Sequence, residues 1–166
     1  GARAFLAAHP EVDGTRIGVM GFSFGGVASM LVATHAQNDR FLKDEHFKAM
    51  MPVYPVASAY NRVPGFEFGD LVDAPVMMVT GELDEYDDDP EAGPKLVASL
   101  KPEDAAKIKV HVMKGAHHCF DMPGANVVVA DPVSHRGAGG EVHMIFNEEA
   151  METAHKLAVD FFSGAL

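Results

Sequence analysis

Short apolar runs alternate with longer amphipathic stretches along this chain. Residues 16–20, RIGVM, are apolar on successive positions, the pattern of a strand covered on both faces, as in a parallel sheet lying between helices. Residues 27–36, VASMLVATHA, then read as a buried helix. The alternation repeats with a strand within 47–56 (FKAMMPVYPV), a loop rich in Gly, Pro and aromatics over 60–73, a strand at 74–80 (APVMMVT) and a helix over 94–106. Residues 107–113, KIKVHVM, alternate polar and apolar, as an edge strand does. Residues 2–9 read as the end of a helix stopped by Pro10, Asp13-Gly14 as a turn, and 115–147 as a long loop. In the last stretch, 148–162, Met151, Ala154, Leu157, Ala158, Phe161 and Phe162 recur at spacings of three and four, one face of a helix. Asn147 stands at its N-cap, with acids in the first turn. Strand and helix in turn predict an α/β domain, a parallel sheet flanked by helices.

The order of the runs adds a constraint. RIGVM is a strongly apolar strand yet comes first, with three strands after it. A strand of that kind calls for neighbours on both sides. Residues 1–166 are therefore expected to form a single partial domain, its earlier strands lying outside this sequence. The open side of strand 16–20 would then be met by such a segment or by self-association.

Composition narrows the chemistry. The formal net charge is −11, spread along 166 residues, which disfavours nucleic acid as a partner. One cysteine, Cys119, leaves no internal disulfide. No run of 18 apolar residues is present and no signal peptide is visible; the compartment is left unassigned.

Candidate chemistry sits where the elements change. Gly21-Phe22-Ser23-Phe24-Gly25 matches G-x-S-x-G, between a predicted strand and a predicted helix. A serine at so sharp a corner needs small neighbours, so Gly21 and Gly25 are expected to relieve collisions. The Phe24 backbone N–H, at the helix start, is placed to meet an oxyanion. A serine needs a base. His118, just past the last predicted strand in GAHHCFD, is the candidate, with His117 its adjacent competitor. The acid is expected after an intervening strand; Asp84, in GELD after APVMMVT, is favoured among Glu82, Glu85, Asp87, Asp88 and Asp89. A calcium loop there lacks its central glycine. The order Ser, Asp, His is that of the α/β-hydrolase fold. Phe22 and Phe24 flank Ser23 and are candidates to shape an acyl pocket. Tyr54, at a strand end, is a candidate substrate contact with core packing as its competitor. Asp131, His135 and Arg136 are read as loop-stabilising, and Cys119 as packing.

GFSFGG at 21–26, TGELDEYDD at 80–88 and GAHHCFD at 115–121 resemble the dienelactone hydrolase family of the α/β-hydrolases, over nearly the whole chain. The resemblance selects His118 over His117, and Asp84 as the acid. It implies a small-molecule ester or lactone as substrate, with no metal and no organic cofactor. It also implies that the strands here are the last four of the usual eight, the missing half supplying the second oxyanion donor. Dienelactone hydrolases proper use a cysteine where this chain has Ser23, which points to a broader serine esterase. A peptidase of the prolyl-oligopeptidase type, and a binding protein that kept the fold, are the competing readings.

Overall fold

The computed structural model describes residues 1–42 and 45–166. Four parallel strands form the sheet, in the order β1 (Val19–Phe22), β2 (Met50–Val53), β3 (Val76–Gly81) and β4 (Ile108–Met113). Val19 stands opposite Met50, Val53 opposite Val79, and Val76 opposite Ile108. Successive residues serve opposite faces. Met50, Val76 and Met78 join a core with Met30 of helix α2 (Phe24–Leu31) and Leu96 of helix α4 (Ala92–Ala98). Met51 and Val79 join a second core with Ala150 and Ala154 of the C-terminal helix, Glu148–Ala165. This is why the strands read as unbroken apolar runs: each face has a helix layer to bury it.

The strand predicted at 16–20 runs instead over 19–22, because Gly21 and Phe22, the first residues of the elbow motif, continue the ladder with β2. It occupies one edge of the sheet and β4 the other. The second neighbour that its apolar character calls for is not supplied by any strand among the described residues. The helix expected at 27–36 begins three residues earlier, directly after Ser23, and stops at Leu31. Thr34 then opens helix α3 (His35–Phe41), its side chain accepting from the Gln37 N–H. The helix expected over 94–106 is two pieces, α4 and α5 (Pro102–Ala105), because Pro102 starts a new first turn and cannot continue the old one.

The largest departure lies in 115–147. Within this expected loop, β5 (Asn126–Asp131) and β6 (Gly140–Ile145) form an antiparallel hairpin, separate from the main sheet. The hairpin is stitched back to the site: His118 bridges to Met144, the Phe146 N–H donates to the Ala125 carbonyl and the Asn147 N–H to that of Phe120. Asn147 caps the last helix as expected, its Oδ1 accepting from the Ala150 N–H at 3.1 Å.

Candidate active site

The corner after β1 is forced by contacts on its inner side. Ser23 has φ 52° and ψ −118°, a region that non-glycine residues rarely enter. Its N–H donates to the Val53 carbonyl and its carbonyl accepts from the Val27 N–H, so both ends of the strained residue are tied. A Cβ on Gly21 would stand 2.0 Å from the Gly25 carbonyl oxygen, and one on Gly26 would stand 2.6 Å from that of Val53. A Cβ on Gly25 would meet nothing within 4 Å. The expected pair, Gly21 and Gly25, is thus corrected to Gly21 and Gly26. Gly26 is the residue on which α2 leans against β2, whereas Gly25 faces outward.

Two loops bring partners to Ser23. The segment after β3 carries Asp84 and that after β4 carries His118, and they are laced together. The Glu82 N–H donates to the Met113 carbonyl, the Leu83 N–H to that of Ala116, and the Gly115 N–H to the Glu82 carboxylate. His118 and Asp84 are 1% and 4% exposed. The His118 Nε2 lies 2.9 Å from the Ser23 Oγ, and its Nδ1 lies 2.8 Å from an Asp84 oxygen. A carboxylate only accepts, so the proton belongs on Nδ1 and the lone pair of Nε2 faces the serine hydroxyl. The other Asp84 oxygen accepts from the Tyr86 N–H at 3.0 Å.

The rings of Tyr54 and Tyr86 each stand 4.5 Å from the imidazole of His118. Tyr54 donates its hydroxyl to Asp121 at 2.6 Å, and Tyr86 donates to Asp131 at 2.7 Å. Burial, followed by these carboxylate contacts, pushes both phenols far above their ordinary range, so each remains a neutral donor. The Tyr86 hydroxyl in turn holds the Asp131 carboxyl below its usual value. Neither Tyr86 nor Asp121 was singled out from sequence as a site residue. The signal for Tyr86 was present: an aromatic two positions after the acid, in a loop made mostly of carboxylates.

Beside Ser23 opens a cavity of about 630 Å³. Phe24, Val27, Val63, Phe66 and Val133 give it an apolar wall, with Arg62 and Arg136 also on its surface. Phe24 is 81% exposed there and is the first residue of α2. Tyr54 is buried behind His118 and Phe22 stands 6.0 Å from the Tyr54 ring; neither lines this cavity. Arg136 and His135 tie the hairpin turn to the acid loop through the Asp87 carbonyl and the Asp88 carboxylate. Cys119 is partly buried and its thiol is pushed up by that burial.

Solved structures share this arrangement of elements. A putative dienelactone hydrolase from Klebsiella pneumoniae superposes with a TM-score of 0.66 at 18% identity, over 98% of this chain and 57% of that one. A dienelactone hydrolase-like promiscuous phosphotriesterase from metagenomic libraries gives 0.61 at 18%, over 99% and 58%. An acylaminoacyl peptidase from Pyrococcus horikoshii gives 0.59 at 18%, over 100% of this chain but 26% of that one. The chain therefore spans well under two thirds of the length of these structures. The comparison with curated proteins finds no match. At such identities the superpositions show the fold, that of the α/β-hydrolases. The family follows from the sequence itself: the model of the dienelactone hydrolase family matches residues 1–166, and this chain belongs to that family.

Proposed function

We propose that the chain carries the nucleophile, base and acid of a serine hydrolase that cleaves carboxylic esters or lactones through an acyl-enzyme. The observation that supports this most is the unbroken hydrogen-bonded chain Ser23–His118–Asp84, at 2.9 and 2.8 Å, with the last two residues buried. In this reading Ser23 Oγ attacks the carbonyl carbon while His118 Nε2 takes its proton. Asp84 holds the imidazole and stabilises its cation. The Phe24 N–H, at the start of α2, donates to the oxyanion. His118 then returns the proton to the leaving alcohol, and a water deprotonated by the same nitrogen releases the acid. Tyr54 acts by positioning His118. The apolar wall by Phe24 and Val63 suits an uncharged acyl or alcohol group.

A fluorophosphonate probe and an aryl acetate test the reading together. The probe is expected to label Ser23, and Ser23→Ala to abolish both labelling and ester turnover without altering the circular dichroism. Wild-type turnover in the alanine variant would overturn the assignment. Aminoacyl anilides, run beside the esters, separate an esterase from a peptidase; faster anilide cleavage would move the substrate class.

A further inference from the structure

Next to the Ser23–His118–Asp84 chain lies a second convergence of side chains that the hydrolytic reading leaves unused. Glu85 comes from the loop after β3, His117 from the loop after β4 and His143 from β6. Both histidines aim Nδ1 at the same oxygen: Glu85 Oε1 is 2.7 Å from His143 and 3.2 Å from His117. The imidazole centroids are 5.5 Å apart, and one ligand atom from each of the three residues falls within 4.8 Å of the other two. All three side chains are partly buried. Among the described residues no lysine or arginine pairs with Glu85.

Two imidazoles and one carboxylate form a donor set suited to zinc and its neighbours. Donors held 2.0–2.1 Å from a tetrahedral ion stand about 3.3 Å apart. The separations of 2.7 and 3.2 Å are already near that, so an ion enters with small side-chain shifts, each neutral imidazole ligating through Nδ1 with its single proton on Nε2, and any second proton leaving to solvent. The backbone needs no rearrangement. His117 precedes the buried, paired His118, His143 precedes the Met144 that bridges to His118, and the Glu85 carbonyl accepts from the His135 N–H at 2.8 Å. None of the three residues lines the cavity beside Ser23, so the role is structural.

We propose that Glu85, His117 and His143 bind a zinc ion, with water completing its shell, and that the ion clamps the β5–β6 hairpin to the two loops bearing Asp84 and His118. The proposal stands apart from the hydrolytic reading, since its test reads metal rather than turnover. Zinc chloride is titrated calorimetrically into the chelator-treated chain, into Glu85→Gln and His143→Ala, and into His155→Ala, a control at an exposed histidine of the last helix. One zinc per chain is expected. Affinity should fall at least about 10²-fold in the first two variants and stay unchanged in the control. At zinc a hundredfold above Kd the thermal midpoint should rise by about 5 °C or more. Absence of binding by the wild type, or affinity that survives both ligand variants, overturns the proposal. Cobalt(II) bound to the wild type gives a readout that needs no variant. Intense visible bands of a low-coordinate nitrogen–oxygen site are expected, and the spectrum of the hexaaqua ion would overturn the clamp.

Discussion

A methyl group on Gly26 would press on the Val53 carbonyl oxygen at 2.6 Å, while one on Gly25 would hang in open space. Gly26→Ala is therefore expected to cost about 1–3 kcal/mol in urea unfolding, the usual penalty for overpacking. Gly25→Ala should be neutral or gain up to about 1 kcal/mol, because alanine favours the helix. Equal losses at both positions would show that Gly25 is confined after all. The two neighbouring histidines offer a second contrast. His118 is buried between Asp84 and Ser23, whereas His117 turns to Glu85. In the proposed mechanism Asp84→Asn should lower kcat by about 10⁴, since the amide favours the wrong imidazole tautomer. His117→Ala should be far milder than His118→Ala. Steady-state kinetics on an aryl ester decide both points, and the reverse ranking of the histidines would move the base.

The elements were legible where one rule acted alone. The apolar runs of β2 and β3, the alternation of β4 and the capped periodicity of the last helix all name their elements, because burial on two faces, an edge position and one packed face leave distinct patterns. Two breaks had signals that longer apolar patterns masked: Thr34 followed three residues on by Gln37, a capping-box pair, and Pro102 at a first turn. The hairpin was harder. Its strand Asn126–Asp131 has Val127 and Val128 both about half exposed, so no alternation announces it. Its turn places two residues that are not glycine, His135 and Arg136, at positive φ ahead of Gly137 and Gly139. That turn is held from outside. His135 Nδ1 meets the Asp88 carboxylate and its Nε2 meets the Glu141 carbonyl; both partners only accept, so both nitrogens must carry protons. The backbone and Asp88 contacts accordingly raise the His135 pKa above its ordinary value. A raised folded-state value adds stability below the unfolded pKa and loses it as pH rises through the folded one. With chelator present, His135→Ala should lower the melting temperature at about pH 5.5 and much less at about pH 9. A deficit that is the same at both ends would refute the cationic contact.

At the scale of the molecule, β1 matters most. The Ser23 N–H donates to the Val53 carbonyl and the Val19 N–H to that of Ala49, and Ile17 accepts from the Lys48 N–H, so the alternate amides of Met20 and Phe22 face away from the sheet. An apolar edge in this state is a template on which another strand can pair. Amide exchange at Met20 and Phe22 in the 166-residue chain is expected to slow as protein concentration rises; fast exchange at every concentration would deny such pairing. The chain has no tryptophan and three tyrosines, and two of the three, Tyr54 and Tyr86, pack on His118 with their hydroxyls on carboxylates. A phenol bonded to a carboxylate loses its excited-state proton readily and emits weakly. Two of the three tyrosine emitters are therefore expected to be quenched at one spot, around the imidazole. Any event that parts His118 from its neighbours, whether an inhibitor, a substitution or the first step of unfolding, should brighten the whole molecule, with no dye attached.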